Sequence, residues 1–391
     1  MITPHEAIAR LRALAQPVEI ETVSLGAAAN RYLAAPLTAK RSQPSRDLSA
    51  MDGYAIRSAD QAGPWRVVGE SAAGGPWDGM IGRNEAVRIF TGAAVPDGAG
   101  MVIVQEDVTR DGDGLAANPD VAKGGLAHIR SAGSDFKIGQ LLLEQGDRLT
   151  AARIGLAAMG GYANLAVRRR IRIAIISTGS ELAPVGSEPS RDRLPSSNGV
   201  MLRAMLTDLP ADVCDFGIIP DDRAALSAAF ESGADFDVIV STGGASVGDH
   251  DLVRPALIDT GAVIDFWKIA MRPGKPLMAG RLGKAIALGL PGNPVSAFVT
   301  ATLFLKPLIA HFAGASTPEP QMIKARLAEA MPAVGGRTDY VRACWSKGAM
   351  MPLPGDSGML LPLASADALI VRPAGSAAAE KGDDVTAIML T

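Results

Sequence analysis

Cysteine is almost missing from this chain of 391 residues: Cys214 and Cys344 are the only two, and they lie far apart in sequence. That excludes a cysteine-built metal cage and fits a reducing compartment. Histidine is scarce too, with four residues at 5, 128, 250 and 311, and no pair at i, i+4 suggests a zinc site. Neither sign of charge dominates. The formal net charge is −3, which leaves no electrostatic case for general nucleic-acid binding. The one basic cluster, Arg168-Arg169-Arg170 with Arg172, precedes an apolar run and reads as a solvated strand entrance. No apolar run reaches the ~18 residues that a membrane span needs. The start, His5 to Leu11, reads as an amphipathic helix without a charged-then-apolar leader. A cytoplasmic protein with no membrane and no nucleic-acid partner is expected.

What is present is the composition of a folded globular protein, 48% hydrophobic and 20% charged, and long enough for two to four domains. Residues 1–25 read as helical and 26–40 as an Ala-rich helix ending before Pro36. From about 42 to 135, short β-type runs such as Trp65 to Val68, Ala86 to Phe90 and Met101 to Val104 alternate with Gly, Pro and Asp clusters, the texture of a β-rich insertion. A small-residue helix follows from Ala151, with Thr150 placed to cap it. Apolar strands at Ile171–Ser177, Phe236–Ser241 and Ala285–Leu290 then alternate with helices at about 199–209, 222–232 and 251–260. That pattern predicts a mostly parallel sheet covered on both faces. After Pro318 short strands return and predict a C-terminal β domain of about 75 residues.

Three strand exits in the α/β region share one design. Ser177-Thr178-Gly179-Ser180-Glu181 leaves the first, Ser241-Thr242-Gly243-Gly244-Ala245-Ser246-Val247-Gly248-Asp249 the second, and Leu290-Pro291-Gly292-Asn293-Pro294 the third, straight into a helix. In a parallel sheet such exits share the carboxyl edge, where ligands bind. Glycines let the backbone approach an anion, and helix N-termini offer it free N–H groups. Tight turns need glycine anyway, so one loop says little; three in one sheet point to a phosphate-bearing ligand. Their spacing fits neither the Walker nor the dinucleotide fingerprint. Glu181, Asp221, Asp222, Asp249 and Asp251 each read singly as a helix cap. As a set beside an anion pocket they read as Mg²⁺ ligands, Asp251 least so because its helix needs an N-cap there. A loop stiffened by two prolines and a glycine presents Lys268, Arg272 and Lys275, which suits a multiply charged substrate, although solvated surface cations would look the same. In the β insertion, Met51-Asp52-Gly53 and Thr91-Gly92-Ala93 are strand-end turns that assign no function alone.

In family order, Ser49-Ala50-Met51-Asp52-Gly53-Tyr54-Ala55, Thr91-Gly92-Ala93, Ser177 to Leu182, Gly243 to Asp249, Arg272-Pro273-Gly274-Lys275-Pro276 and Leu290 to Ser296 resemble the MoeA family over essentially the whole chain. Its eukaryotic relatives include the E domain of gephyrin. The resemblance implies a multidomain α/β-plus-β protein. A central three-layer α/β domain (1–25 and 168–316) would carry the pterin site. A linker and dimerisation domain (26–41 and 136–167), an inserted β-rich domain (42–135) and a small barrel-like C-terminal domain (317–391) would complete an elongated homodimer.

It also implies a reaction. Adenylylated molybdopterin and molybdate, with Mg²⁺ or Zn²⁺, would give molybdenum cofactor and AMP, and contacts with the adenylyltransferase and with cofactor-receiving enzymes would follow. Asp52 and Thr91 would act across the dimer, while Glu181, Asp222 and Asp251 would hold the metal and the phosphates. Ser177, Thr178, Gly179, Gly243, Gly244, Ser246 and Asp249 would line the substrate. Lys268, Arg272 and Lys275 would bind anions, Pro291, Asn293 and Pro294 would shape the pocket, and Arg337 would be the C-terminal contribution. Phosphoanhydride cleavage needs charge neutralisation, so positioning and electrostatics are expected to dominate, without a covalent enzyme intermediate. Two places depart from the pattern: Gly100 stands where the family usually has Asp, and Leu361-Pro362 where relatives often have serines, with Ser365 a candidate replacement. Two other functions stay open, a molybdopterin adenylyltransferase built on a similar α/β fold and a non-catalytic gephyrin-like scaffold. The flanking β domains speak against the first, and the intact acidic residues and Arg-Pro-Gly-Lys-Pro loop against the second.

Overall fold

The computed structural model describes residues 1–391 apart from 119–126, 189, 245–251 and 391. The chain forms two compact units, one of residues 1–35, 145–150 and 165–391, the other of 36–144 and 151–164.

The first unit is built on a six-stranded sheet of β1 (Ile171–Thr178), β2 (Ala211–Ile219), β3 (Val238–Thr242), β4 (Val263–Trp267), β5 (Met278–Leu282) and β6 (Ala285–Leu290). Its order is β2-β1-β3-β6-β5-β4. The first four strands are parallel; β5 runs antiparallel to β6, and the edge strand β4, antiparallel to β5, returns to the common direction. Strands β3 and β6 are buried at every position and β1 at all but Arg172, as apolar runs sandwiched between layers must be. Sequence patterning found these three and missed β2, β4 and β5. Strand β2 is an edge whose Asp212, Cys214 and Asp215 face solvent, and the other two carry Asp265 and Arg281, so none shows a continuous apolar run.

Helix α1 (Pro4–Leu14) begins as its sequence dictates, with Pro4 in the first turn and Thr3 Oγ1 accepting from Glu6 N at 3.1 Å. Beyond it the helical expectation for 15–40 fails: Ile20–Ser24 is a strand and Leu25–Ala27 a single 3₁₀ turn. Asn30 takes a left-handed φ of 62°, and Tyr32 and Leu33 bridge to Arg148 and Val167, so tertiary pairing overrides alanine's helix preference. Helices α2 (Ser197–Met205), α3 (Arg223–Gly233) and α4 (Val253–Asp259) fall within a few residues of their expected places. The basic cluster is paired at the strand entrance. Arg169 binds Asp237 and Glu19, and Arg170 binds Asp212.

Strand β6 runs into α5 (Pro294–Phe312), whose middle turn Ala301–Leu305 is π-helical. Pro307 has no N–H to give that turn, and the wider π spacing absorbs the missing bond. At 19 residues, with an 18-residue stretch of mean hydropathy 1.5, α5 is long and apolar enough to span a membrane, contrary to the sequence reading; 83% of that stretch is buried, in the manner of a core helix. The C-terminal part of the unit is a second sheet of β7 (Met322–Arg326), β8 (Thr338–Ser346), β9 (Ala349–Pro352), β10 (Ala368–Arg372) and β11 (Asp384–Met389). The strand Met271–Arg272, from the cationic loop, pairs parallel with β8.

The second unit holds the expected β-rich region. Six strands run in the order 101–104, 53–56, 85–89, 65–71, 114–117 and 108–111, and the helix Ala151–Met159 belongs to the same unit.

Candidate active site

The parallel register sets Ser177 beside Thr242 and Thr242 beside Leu290, so the three glycine-bearing exits leave one sheet edge together. Their hydroxyls tie the exits to one another. Thr178 Oγ1 donates to Thr242 O at 3.4 Å, and Thr242 Oγ1 to Pro291 O at 3.3 Å. Asn198, opening α2, donates through Nδ2 to Thr242 Oγ1 and Gly292 O, both at 2.8 Å. Thr178 and Thr242 are each 2% exposed, so they serve as latches as much as ligand contacts. Glycine is obligatory at 243: φ is +99°, and a Cβ there would lie 2.2 Å from Thr178 O.

These exits form one wall of a cleft of about 1400 Å³. The Arg272–Pro276 loop and residues 330–342, 352–360 and Arg372 of the C-terminal sheet region complete it. Arg272, Lys275, Arg337, Arg342 and Arg372 face Glu181, Asp339 and Asp356, an excess of positive charge in the lining. The cations differ in what holds them. Arg272 makes a two-pronged pair with Asp339, through Nε at 2.9 Å and Nη2. Arg342 is buried and donates to the carbonyls of Met359, Pro354 and Gly355. Lys275 and Arg337 have no carboxylate partner among the described residues. Tyr340 also lines the cleft, and burial pushes its phenol up to about 12, so it stays a neutral donor.

Most of the expected substrate residues therefore converge: Ser177, Thr178, Glu181, Gly243, Gly244, Arg272, Lys275, Pro291, Asn293, Pro294 and Arg337 all line the cleft. Asn293 does not cap α5; its Nδ2 donates to Ser357 Oγ at 2.8 Å, linking the third exit to the C-terminal segment. Gly179 is not a lining residue; its φ is +149°, and the Glu181 carboxylate packs against it, 2.5 Å from where a Cβ would fall. Ser246, Asp249 and Asp251 lie outside the described residues. Lys268 is not in the lining; its Nζ sits 4.2 Å from the Trp267 ring centroid, with Arg254 at 4.6 Å.

The described members of the acidic set are dispersed. Asp222 caps α3, accepting from Ala225 N at 2.8 Å, and Asp221 accepts from Ser180 N at 2.9 Å; neither lines the cleft. Among the described residues no group of three or more His, Cys, Asp or Glu is placed to hold a metal ion. Among the described residues, Glu181 is the one expected metal ligand that faces the cleft. Sequence reasoning missed Asn198, Asp339, Arg342 and Arg372. Asn198 lies in Ser196-Ser197-Asn198 at the start of α2, the same small-polar signature as the other exits, whereas the other three sit on strands with no local signature.

In the second unit, Asp52 precedes the strand Gly53–Ile56 and Thr91 follows Glu85–Ile89, and these neighbours are antiparallel, so the two meet. Asp52 Oδ1 accepts from Thr91 N at 2.7 Å and Thr91 Oγ1 at 2.8 Å. Those bonds hold its carboxyl below the usual carboxylate range, with Arg88 adding to the effect. Arg88 donates to Gly53 O at 3.1 Å and Gln105 Oε1 at 2.6 Å, and stacks on Tyr54 and Phe90. At Gly100 a Cβ would fall 2.0 Å from Ser58 Oγ, so the aspartate of the family pattern would require the Ser58 hydroxyl to turn away. In the first unit, Leu361 is 82% exposed on the short helix α6 (Leu360–Ala364). Ser365, the candidate replacement for the missing serines, uses its hydroxyl on Leu361 O at 3.4 Å and does not line the cleft.

Three family models match the chain: MoeA N-terminal region (domain I and II) over residues 2–161, probable molybdopterin binding domain over 174–311, and MoeA C-terminal region (domain IV) over 324–390. A molybdopterin molybdenumtransferase of Haemophilus influenzae is 37% identical, the match covering 88% of this chain and 85% of that protein. One from Staphylococcus aureus is 32% identical over 99% of this chain and 95% of its own length. The crystal structure of a molybdopterin biosynthesis MoeA protein from Pyrococcus horikoshii superposes with a TM-score of 0.83 at 26% identity, covering both chains fully.

Proposed function

This chain belongs to the MoeA family of molybdopterin molybdenumtransferases and so to molybdenum cofactor biosynthesis, and from that premise we propose that the cleft of its first unit is where molybdate is inserted into adenylylated molybdopterin with release of AMP. The observation that carries the reading is the cleft itself. Three latched strand exits and the cationic loop face the C-terminal sheet region, and the lining has more cations than carboxylates. Such a wall suits two anions at once, a phosphate-bridged substrate and a dianionic oxyanion.

In this reading Lys275 and Arg337, which no carboxylate neutralises among the described residues, take the substrate phosphates and stabilise charge on the departing AMP. Asn198 Oδ1 is a buried acceptor without a hydrogen bond among the described residues, and it offers one to an N–H of the pterin or the base. Arg272 is held by Asp339, so it acts as a pillar of the cationic loop more than as a free anion contact. Among the described residues the donor set fits Mg²⁺, which needs one or two carboxylates beside substrate phosphates, and Glu181 supplies one. No His or Cys among the described residues lines the cleft, so these residues offer Zn²⁺ none of its usual imidazole or thiolate ligands. Bound there, the ion would neutralise bridging phosphate oxygens. Asp251 remains a proposed ligand, while Asp222 is assigned to the helix cap.

The proposal extends to assembly. The four-domain division, a barrel-like C-terminal domain and a homodimer in which Asp52 and Thr91 serve the partner's cleft belong to it. So do a cytoplasmic location and contacts with the adenylyltransferase and cofactor-receiving enzymes. The bridge between Leu327 and Met350, joining the two ends of the C-terminal sheet, supports the barrel reading. The test is incubation with adenylylated molybdopterin, molybdate and Mg²⁺, read by reactivation of a cofactor-free molybdoenzyme. Reactivation should be lost with a chelator and in Lys275→Ala. Full reactivation in either case contradicts the assigned roles.

A further inference from the structure

Arg272, Asp339 and Arg372 stand in one row across three neighbouring strands. Arg272 is the register partner of Asp339 on β8, and Asp339 that of Arg372 on β10. Residues directly opposite in such pairs share a face of the sheet, so a single carboxylate lies between two guanidiniums. Arg272 takes both of its oxygens. Arg372, which is 5% exposed, is left among the described residues with backbone carbonyls only: Nη2 donates to Ala377 O and, at 3.4 Å, to Pro332 O. Its Nη1 is buried and has no hydrogen-bond partner among the described residues, although the side chain lines the cleft. A buried guanidinium with an orphan donor and no carboxylate partner among the described residues is costly to leave so, and an anion would supply the missing partner. The neighbouring cations do not share this state. Arg342 is filled by three carbonyls, while Lys275 and Arg337 are more exposed and open to water.

We propose that Arg372 is an oxyanion-binding residue of the cleft, with Nη1 bonding an oxygen of a tetrahedral oxyanion that lies against the C-terminal sheet. The inference rests on reading the cleft as an anion site. It requires only that the guanidinium turn about its long side chain while Asp339 keeps Arg272 in place. Two oxyanions share this chemistry, free molybdate and a phosphate of the adenylylated substrate.

Calorimetric titration of the full chain with molybdate, and separately with AMP, distinguishes them. Losing a charge-assisted hydrogen bond to an anion weakens binding about 10- to 100-fold, which is the effect expected for Arg372→Gln. Arg372→Lys keeps the charge but removes Nη1, and a loss of about tenfold is expected. Weakening confined to molybdate assigns the metal oxyanion, and weakening confined to AMP assigns the phosphate. Should Arg372→Gln not fold, the lysine variant decides alone. Affinities unchanged for both probes in a folded Arg372 variant, while Lys275→Ala loses binding, overturn the role of Arg372 and leave the cleft reading intact. A wild-type chain that binds neither probe contradicts the cleft reading itself.

Discussion

Replacing Gly243 by alanine probes the latch that gathers the three strand exits. The new Cβ would sit 2.2 Å from Thr178 O, where ordinary contact begins at 3.4 Å, and φ is +99°. The left-handed backbone alone costs an L-residue about 1–2 kcal/mol. Relieving the clash means moving backbone by roughly 1 Å, for which overpacking data suggest a further 1–3 kcal/mol. Gly348, in the turn between β8 and β9, isolates the second contribution. Its φ is +82° and nothing lies within 4 Å of a Cβ, so Gly348→Ala carries the backbone cost without the clash. Urea denaturation of both variants should show Gly243→Ala the less stable by about 1–3 kcal/mol. Molybdate and AMP titrations should show weaker binding for Gly243→Ala only, because Thr178 and Thr242 line the cleft. Equal stability of the two, with wild-type binding in Gly243→Ala, would refute the claim that close backbone approach shapes this edge.

Asp52→Ala should leave a folded protein that fails to convert adenylylated molybdopterin, and full turnover would sink the role given to the Asp52–Thr91 pair. Asp222→Asn keeps a good N-cap while removing the charge. Mg²⁺-dependent turnover should therefore persist, and its loss at unchanged stability would restore Asp222 as a metal ligand. Burial would raise the Asp237 carboxyl, but the Arg169 guanidinium and the Arg172 N–H outweigh burial and hold it below the usual range. A depressed folded-state pKa means that its stabilisation is complete above the unfolded-state value and lost as pH falls through the folded one. Melting temperature should therefore drop on acidification through that window, and the Asp237→Asn variant should show a shallower acid decline; identical acid slopes would contradict the assignment.

Sequence alone carried the interior of the fold and much of the cleft, for physical reasons visible in particular residues. Strands β1, β3 and β6 are continuous apolar runs because both faces are covered, and their exits announce themselves through glycine and hydroxyl clusters. Strand β2 escaped notice because its solvent-facing Asp212 and Asp215 break the apolar run. The segment 26–35 looked helical because alanine propensity is local while its bridges to Arg148 and Val167 are not. Among the acidic residues, local spacing could not tell a cap from a ligand, and Asp222 proved to be a cap. The Arg272–Asp339–Arg372 row was illegible for a different reason. Its members are separated by up to 100 positions and meet only through strand register.

If this chain inserts molybdenum into adenylylated molybdopterin, AMP release from that substrate must follow molybdate, and the deciding measurement tracks AMP as molybdate is titrated in. AMP should appear in step with active cofactor and only when both molybdate and Mg²⁺ are present. AMP release that ignores molybdate, or formation of pyrophosphate from ATP and molybdopterin by this chain, would contradict the account.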